Sequence, residues 1–75
     1  MSRNLNISAS RLAEIKKKYP EGARVRLVRM NDRFAPPAGT EGTVMHVDDI
    51  GSIHVQWDNG STLAVLIDED KCVIV

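Results

Sequence analysis

Downstream of Tyr19-Pro20-Glu21-Gly22 the chain is cut by turn residues into five short β-type runs: RVRLVRM (24–30), EGTVMHV (41–47), SIHVQW (52–57), TLAVLI (62–67) and CVIV (72–75). Brief runs rich in Val and Ile and bounded by Gly, Pro, Asn and Asp read as strands. The interval after the first run is NDRFAPPAG, and its adjacent prolines, Pro36 and Pro37, have no N–H to give a ladder and cannot sit in a central strand. Asp68-Glu69-Asp70-Lys71 reads as a single helical or 3₁₀ turn before the last strand. Five strands, a long first loop and tight later hairpins predict a mainly β fold: a five-stranded SH3-like barrel with a short N-terminal α-helix.

The hairpins decide what the barrel buries. A five-residue loop over Asp48–Ser52 sets Val47 opposite Ile53, Met45 opposite Val55 and Thr43 opposite Trp57 on one core-facing side. Val44, His46, His54 and Gln56 then fall on the outer side. At Asp58-Asn59-Gly60 two turns compete, a two-residue type I′ turn at Asn59-Gly60 and a three-residue loop with a G1 bulge. They differ by one residue in register, which flips the following strand. The bulged loop is favoured because it packs Leu63 and Val65 on Val55 and Ile53 and exposes Thr62 and Ala64.

Upstream, residues 1–6 read as frayed. Ser8 supplies an N-cap, Ile7 can staple against Leu12, and Leu12, Ile15 and Tyr19 share one helical face. Lys16, Lys17 and Lys18 suit the carbonyl end of the helix dipole, and Pro20 ends the helix near Lys18. Such a helix is too short to persist without packing on something. The organisation is therefore a segment with a helix over 1–18 and a barrel over 19–75, and the helix offers a route to an oligomer if it docks on a neighbour.

Seventy-five residues allow one small domain. One cysteine, Cys72, allows no internal disulfide and no thiolate zinc cluster within the chain, which fits a reducing cytoplasm. No run approaches a secretory signal or a membrane span, so no membrane partner is expected. The formal net charge is zero, yet residues 1–33 hold nine of the ten Lys and Arg with three acids, and residues 34–75 hold seven acids with one base. The opposed halves can neutralise each other on folding, or the basic half can seek nucleic acid.

The ordered combination Tyr19-Pro20-Glu21-Gly22, then APPAGTEGTV (35–44), then VQWDNGS (55–61) resembles the family of small bacterial, phage and mobile-element proteins known as domain of unknown function 4314. The resemblance covers roughly residues 19–75 and implies an SH3-like or KOW-like barrel. It brings no activity, so no residue inherits a catalytic role. Barrel relatives in the wider sense bind proteins, RNA or DNA, which is analogy at the level of fold.

Candidate chemistry is sparse. His46 and His54 face each other across a hairpin, but two imidazoles without a third ligand make a poor metal site, so no metal is assigned. Asp48-Asp49 and Asp68-Glu69-Asp70 lack the spacing of a calcium loop. No acid, base and nucleophile set can be assembled, so an enzyme is not expected, nor is a cofactor. What remains is a non-enzymatic binding module acting through protein contacts, with Phe34, Pro36, Pro37, Arg26, Arg29 and Arg33 as the candidate surface. Phe34 has a competing and favoured reading as a cap over one open end of the barrel. The alternative function is nucleic-acid binding through Arg24, Arg26, Arg29, Lys16, Lys17 and Lys18 on phosphates, although Trp57 is expected in the core and stacking platforms are few. A weaker alternative is an oligomer that sequesters a small anionic ligand with the same arginines. Among these residues an internal network of Arg with Asp58, Asp68, Glu69 or Asp70 is the favoured arrangement.

Overall fold

The computed structural model describes residues 7–75, so the frayed segment expected over 1–6 lies outside the described residues. A helix, α1 (Ala9–Lys18), precedes four strands, β1 (Arg24–Arg29), β2 (Glu41–Val47), β3 (Ile53–Trp57) and β4 (Lys71–Ile74). The strands form one antiparallel sheet in the order β3-β2-β1-β4. The fold is mainly β with one short helix, and the sheet is open, not the closed five-stranded barrel expected.

Helix α1 begins as its sequence requires. Ser8 is extended and its hydroxyl accepts from the Arg11 N–H at 3.2 Å, while the Tyr19 N–H closes the last turn on the Ile15 carbonyl at 2.9 Å. No residue of the helix is fully buried. It docks within its own chain: a Cβ built on Gly51 would meet the side-chain ends of Ile7, Ile67 and Ile15. Gly51 has φ +84°, so the β2–β3 turn needs a glycine for its backbone and for the space that these isoleucines fill.

The β2–β3 hairpin starts in the expected register, with Val47 opposite Ile53 and His46 opposite His54, and then departs from it. Between Val44 and His46 the pairing shifts by one residue, so Val44 lies opposite Val55, Thr43 opposite Gln56 and Gly42 opposite Trp57. The expected core places of Met45 and Thr43 are thus corrected. Met45 is exposed at the bulge and Val44 is buried. Steric fit explains the shift, because the Trp57 ring lies over Gly42, where a Cβ would come within 2.9 Å of Trp57 Cε3 and 2.6 Å of Val55 Cγ1.

The second turn is the bulged three-residue loop. Gly60 N–H donates to the Trp57 carbonyl at 2.9 Å, Trp57 N–H donates to the Ser61 carbonyl at 2.9 Å, and Gly60 has φ +95°. Val65 therefore reaches Ile53, as expected, and exchanges both backbone bonds with it. The run 62–67 is nevertheless not a strand beyond that one bridge. Side chains take the Leu63 groups that a ladder would bond to Val55: the Trp57 indole donates to the Leu63 carbonyl at 2.9 Å and Ser61 Oγ accepts from Leu63 N–H, while on the side away from β3 Asp70 Oδ2 accepts from Leu66 N–H. The core is Val25, Leu27, Val44, Ile53, Val55, Trp57, Val65 and Cys72, with Ile15 and Tyr19 packed against it.

Candidate functional site

Two regions hold most of the residues singled out by sequence, and a third emerges only in the structure. The first is the loop between β1 and β2. Asp32 Oδ1 accepts from the Phe34 N–H at 2.7 Å and fixes a tight turn, and the Thr40 hydroxyl closes the far side on the Pro37 carbonyl at 2.7 Å. Gly39 N–H and the Thr40 carbonyl bond to Leu27, which ties the loop base to β1. Within this frame Pro36 is buried, and Phe34 is 74% exposed with the Arg33 guanidinium 5.2 Å from its ring centroid. Phe34 does not cap the fold. Pro36 takes the inward position, and as a contact residue it is withdrawn from the surface, while Pro37 stays exposed.

The second region is the outer face of the sheet. Arg24 makes a bidentate pair with Asp58, Nη1 to Oδ1 at 2.9 Å and Nη2 to Oδ2 at 2.6 Å, and also donates to Thr43 Oγ1 at 3.0 Å. Glu41 lies 3.6 Å from Arg24 and accepts from Arg26 at 3.1 Å. The Asp58 carboxyl is held below its ordinary value by the bond from Arg24, and the Arg24 guanidinium is raised by the same bond. Two of the candidate arginines are thus neutralised inside the fold. Arg29 and Arg33 form no ion pair among the described residues. Lys16, Lys17 and Lys18 are exposed at the end of α1, with Lys18 Nζ 5.5 Å from the Tyr19 ring centroid, on a different element from the arginines.

His46 and His54 stack with ring centroids 4.3 Å apart, and His54 Nε2 meets Asp48 Oδ2 at 2.9 Å. Asp48 also accepts from the Ile50 and Ser52 N–H groups, so its carboxylate is a turn staple. Burial raises the Asp48 carboxyl, but the bonds from His54, Ser52 and Ile50 outweigh it and hold it below its ordinary value. Among the described residues no group of three or more His, Cys, Asp or Glu side chains is placed to hold a metal ion.

The third region was not legible in the sequence. A cleft of about 350 Å³ separates α1 from β4. Its floor is apolar, with Ile15, Tyr19, Ile53, Val65, Ile67 and Cys72, and Arg11, Glu14, Lys18 and Lys71 stand around it. Asp70 also lines it, but is only 8% exposed, and its two oxygens accept from Asn31 N–H at 2.8 Å and Leu66 N–H at 3.0 Å. A buried acid inside an acidic turn run gives no pattern to distinguish it from its exposed neighbours. Burial pushes the Cys72 thiol up to about 11, with Lys18 and the Tyr19 hydroxyl opposing the shift.

A family model described as domain of unknown function (DUF4314) matches residues 8–75. That span includes α1, whereas the sequence resemblance began at Tyr19. No curated protein and no solved structure matches the chain. No helix among the described residues is long and apolar enough to cross a membrane.

Proposed function

We propose that this chain, which belongs to the DUF4314 family, is a non-enzymatic binding module that works through protein contacts in a reducing cytoplasm. The observation that carries the reading is Phe34. The chain has three aromatic residues of the Phe, Trp and Tyr type. Trp57 and Tyr19 serve the core, while Phe34 stands 74% exposed on a loop braced from both sides. Exposed aromatic area beside a cation that forms no ion pair among the described residues, here Arg33, with Arg29 likewise unpaired, is the composition of an interface centre with a charged border. Nucleic-acid binding is the lesser reading because Arg24 and Arg26 are already paired with Asp58 and Glu41, and Lys16–Lys18 lie apart from them. Sequestration of an anion by shared arginines is weakened by the same pairs.

An SH3-like arrangement, opened along 62–67, is the finer reading of the fold. The long loop after the first strand and the single Ile53–Val65 bridge where a fifth strand would pair support it.

The test replaces Phe34 with a photo-crosslinking phenylalanine analogue in the host cell. A discrete protein adduct is expected, and it should vanish when Arg29 and Arg33 are reversed to Glu or when the analogue sits at the exposed Gln56. Equal labelling at both positions would sink the loop as an interface. Fluorescence anisotropy with labelled DNA and RNA at low salt is expected to show no binding. Tight binding that weakens steeply with salt would replace protein by nucleic acid as the partner.

A further inference from the structure

The backbone of β4 points to what the cleft beside it takes. Val75 N–H donates to the Arg24 carbonyl at 3.1 Å, and Val73 lies opposite Arg26, Cys72 opposite Leu27 and Ile74 opposite Val25. Bonded and non-bonded pairs alternate along an antiparallel ladder, so Val73 and Val75 turn their N–H and C=O toward β1, and Cys72 and Ile74 turn theirs toward the open edge. Leu27 agrees with this phase, since its N–H and C=O bond to Thr40 and Gly39 on its other side. Among the described residues the group that meets the open edge is the Tyr19 hydroxyl, 3.4 Å from the Cys72 carbonyl, a long and weak bond. The same contact sets α1 across the edge from β4. The cleft therefore meets the outward-turned backbone at Cys72, and Ile74 lies one step beyond its lining residues.

We infer that the β4 edge accepts an extended peptide strand from a partner protein, seated between β4 and α1, apolar at alternate positions and acidic at its flanks. This rests on the protein-binding reading and gives the partner's form. A strand added at about 4.8 Å from β4 displaces the Tyr19 hydroxyl and bonds to Cys72 and Ile74. Its side chains opposite those two residues face the apolar floor of Ile15, Val65 and Ile67 and cover Ile74, which is 45% exposed. Charge selects the flanks. Arg11, Lys18 and Lys71 line the cleft, and the Asp70 oxygens are committed to Asn31 and Leu66, so Glu14 is the one uncommitted acid among the lining residues. The edge strand is short and begins at Lys71, but it carries no proline, and the one register shift in its ladder, between Leu27 and Arg29, adds the extra residue to β1 and leaves β4 regular.

The test pans the full chain against a random seven-residue display library and measures the enriched peptides by fluorescence anisotropy. The expected peptides alternate apolar residues and carry acids toward their ends, and their binding slows hydrogen exchange at the Cys72 and Ile74 amides. Ile74→Pro removes the outward N–H without removing a bond to β1, and should weaken binding about tenfold or more, against less than about threefold for Ile74→Ala. Lys18→Glu combined with Lys71→Glu should also weaken it. No enriched peptide, enrichment of basic or helical peptides, or an Ile74→Pro chain that binds normally would overturn the inference. So would protection of the Ile74 amide that rises with protein concentration alone, which would assign the edge to a second copy. Gln56→Ala, exposed on β3 at the far side of the sheet, should leave peptide affinity unchanged. Peptide binding that survives while the Phe34 crosslink fails removes the loop reading alone, and the reverse result removes this one alone.

Discussion

Gly42→Ala tests the bulged register, because its sign differs between the two pairings of β2 with β3. In the observed pairing a Cβ at position 42 would approach Val55 Cγ1 to 2.6 Å, the Gln56 carbonyl oxygen to 2.8 Å and Trp57 Cε3 to 2.9 Å. Two of those atoms belong to fully buried side chains and the third is backbone, so none can swing aside cheaply. Forcing a methyl group into such a site costs about 1–3 kcal/mol. Gly42 is not among the positive-φ glycines, so alanine also gains about 0.5–1 kcal/mol by restricting the unfolded chain. The net expectation is a loss of up to about 2.5 kcal/mol, centred on about 1 kcal/mol. For a domain of this size that lowers Tm by up to about 20 °C, since each kcal/mol is worth about 4–8 °C. In the regular register Thr43 would face Trp57, residue 42 would point to solvent, and only the entropic gain would remain. The assay is thermal and urea unfolding followed by Trp57 fluorescence, with Gly39→Ala as the comparison. Gly39 has φ +95° and open space around a Cβ, so its substitution costs backbone strain alone, about 1–2 kcal/mol. A Gly42→Ala chain more stable than the parent would refute the Met45 bulge and the packing of Trp57 on Gly42.

Asp48 should contribute stability that is fully present above its unfolded value of 3.8 and is lost as pH falls through that value toward its lower folded value. Acid titrations of parent and Asp48→Asn, read by Tm, should differ in slope in that window, and parallel curves would contradict the staple. Asp48→Ala should cost about 1–2 kcal/mol at neutral pH, because the Ile50 and Ser52 N–H groups lose their acceptor, and urea unfolding measures it. Cys72, buried and with its thiol pushed up to about 11, should react with iodoacetamide at about pH 8 far more slowly when folded than in urea, with rates followed by mass spectrometry. Phe34→Ala should leave stability within about 0.5 kcal/mol, since the ring is exposed, and a larger loss on thermal unfolding would return Phe34 to a structural role.

Where the determining contacts are local, the sequence alone was enough. Ser8 caps α1 by bonding a neighbour one turn away, Pro20 follows the helix's last turn, and Gly60 supplies the left-handed residue of a three-residue loop, which then sends Val65 to Ile53. Period-two patterning likewise placed Val55 and Trp57 inward. The remaining features depend on contacts between distant parts of the chain. Alternation within β2 cannot reveal that Trp57 needs a residue without a Cβ opposite it, and that need moves Met45 out and Val44 in. The run 62–67 has strand composition, but Trp57 and Ser61 take the Leu63 groups that a ladder to Val55 would use. Pro36 rather than Phe34 turns inward because the loop is held at Asp32, Thr40 and Leu27 together. The cleft beside β4 joins residues 11–19 to residues 65–73, a juxtaposition that exists only once the helix has docked over Gly51 and the sheet has stayed open.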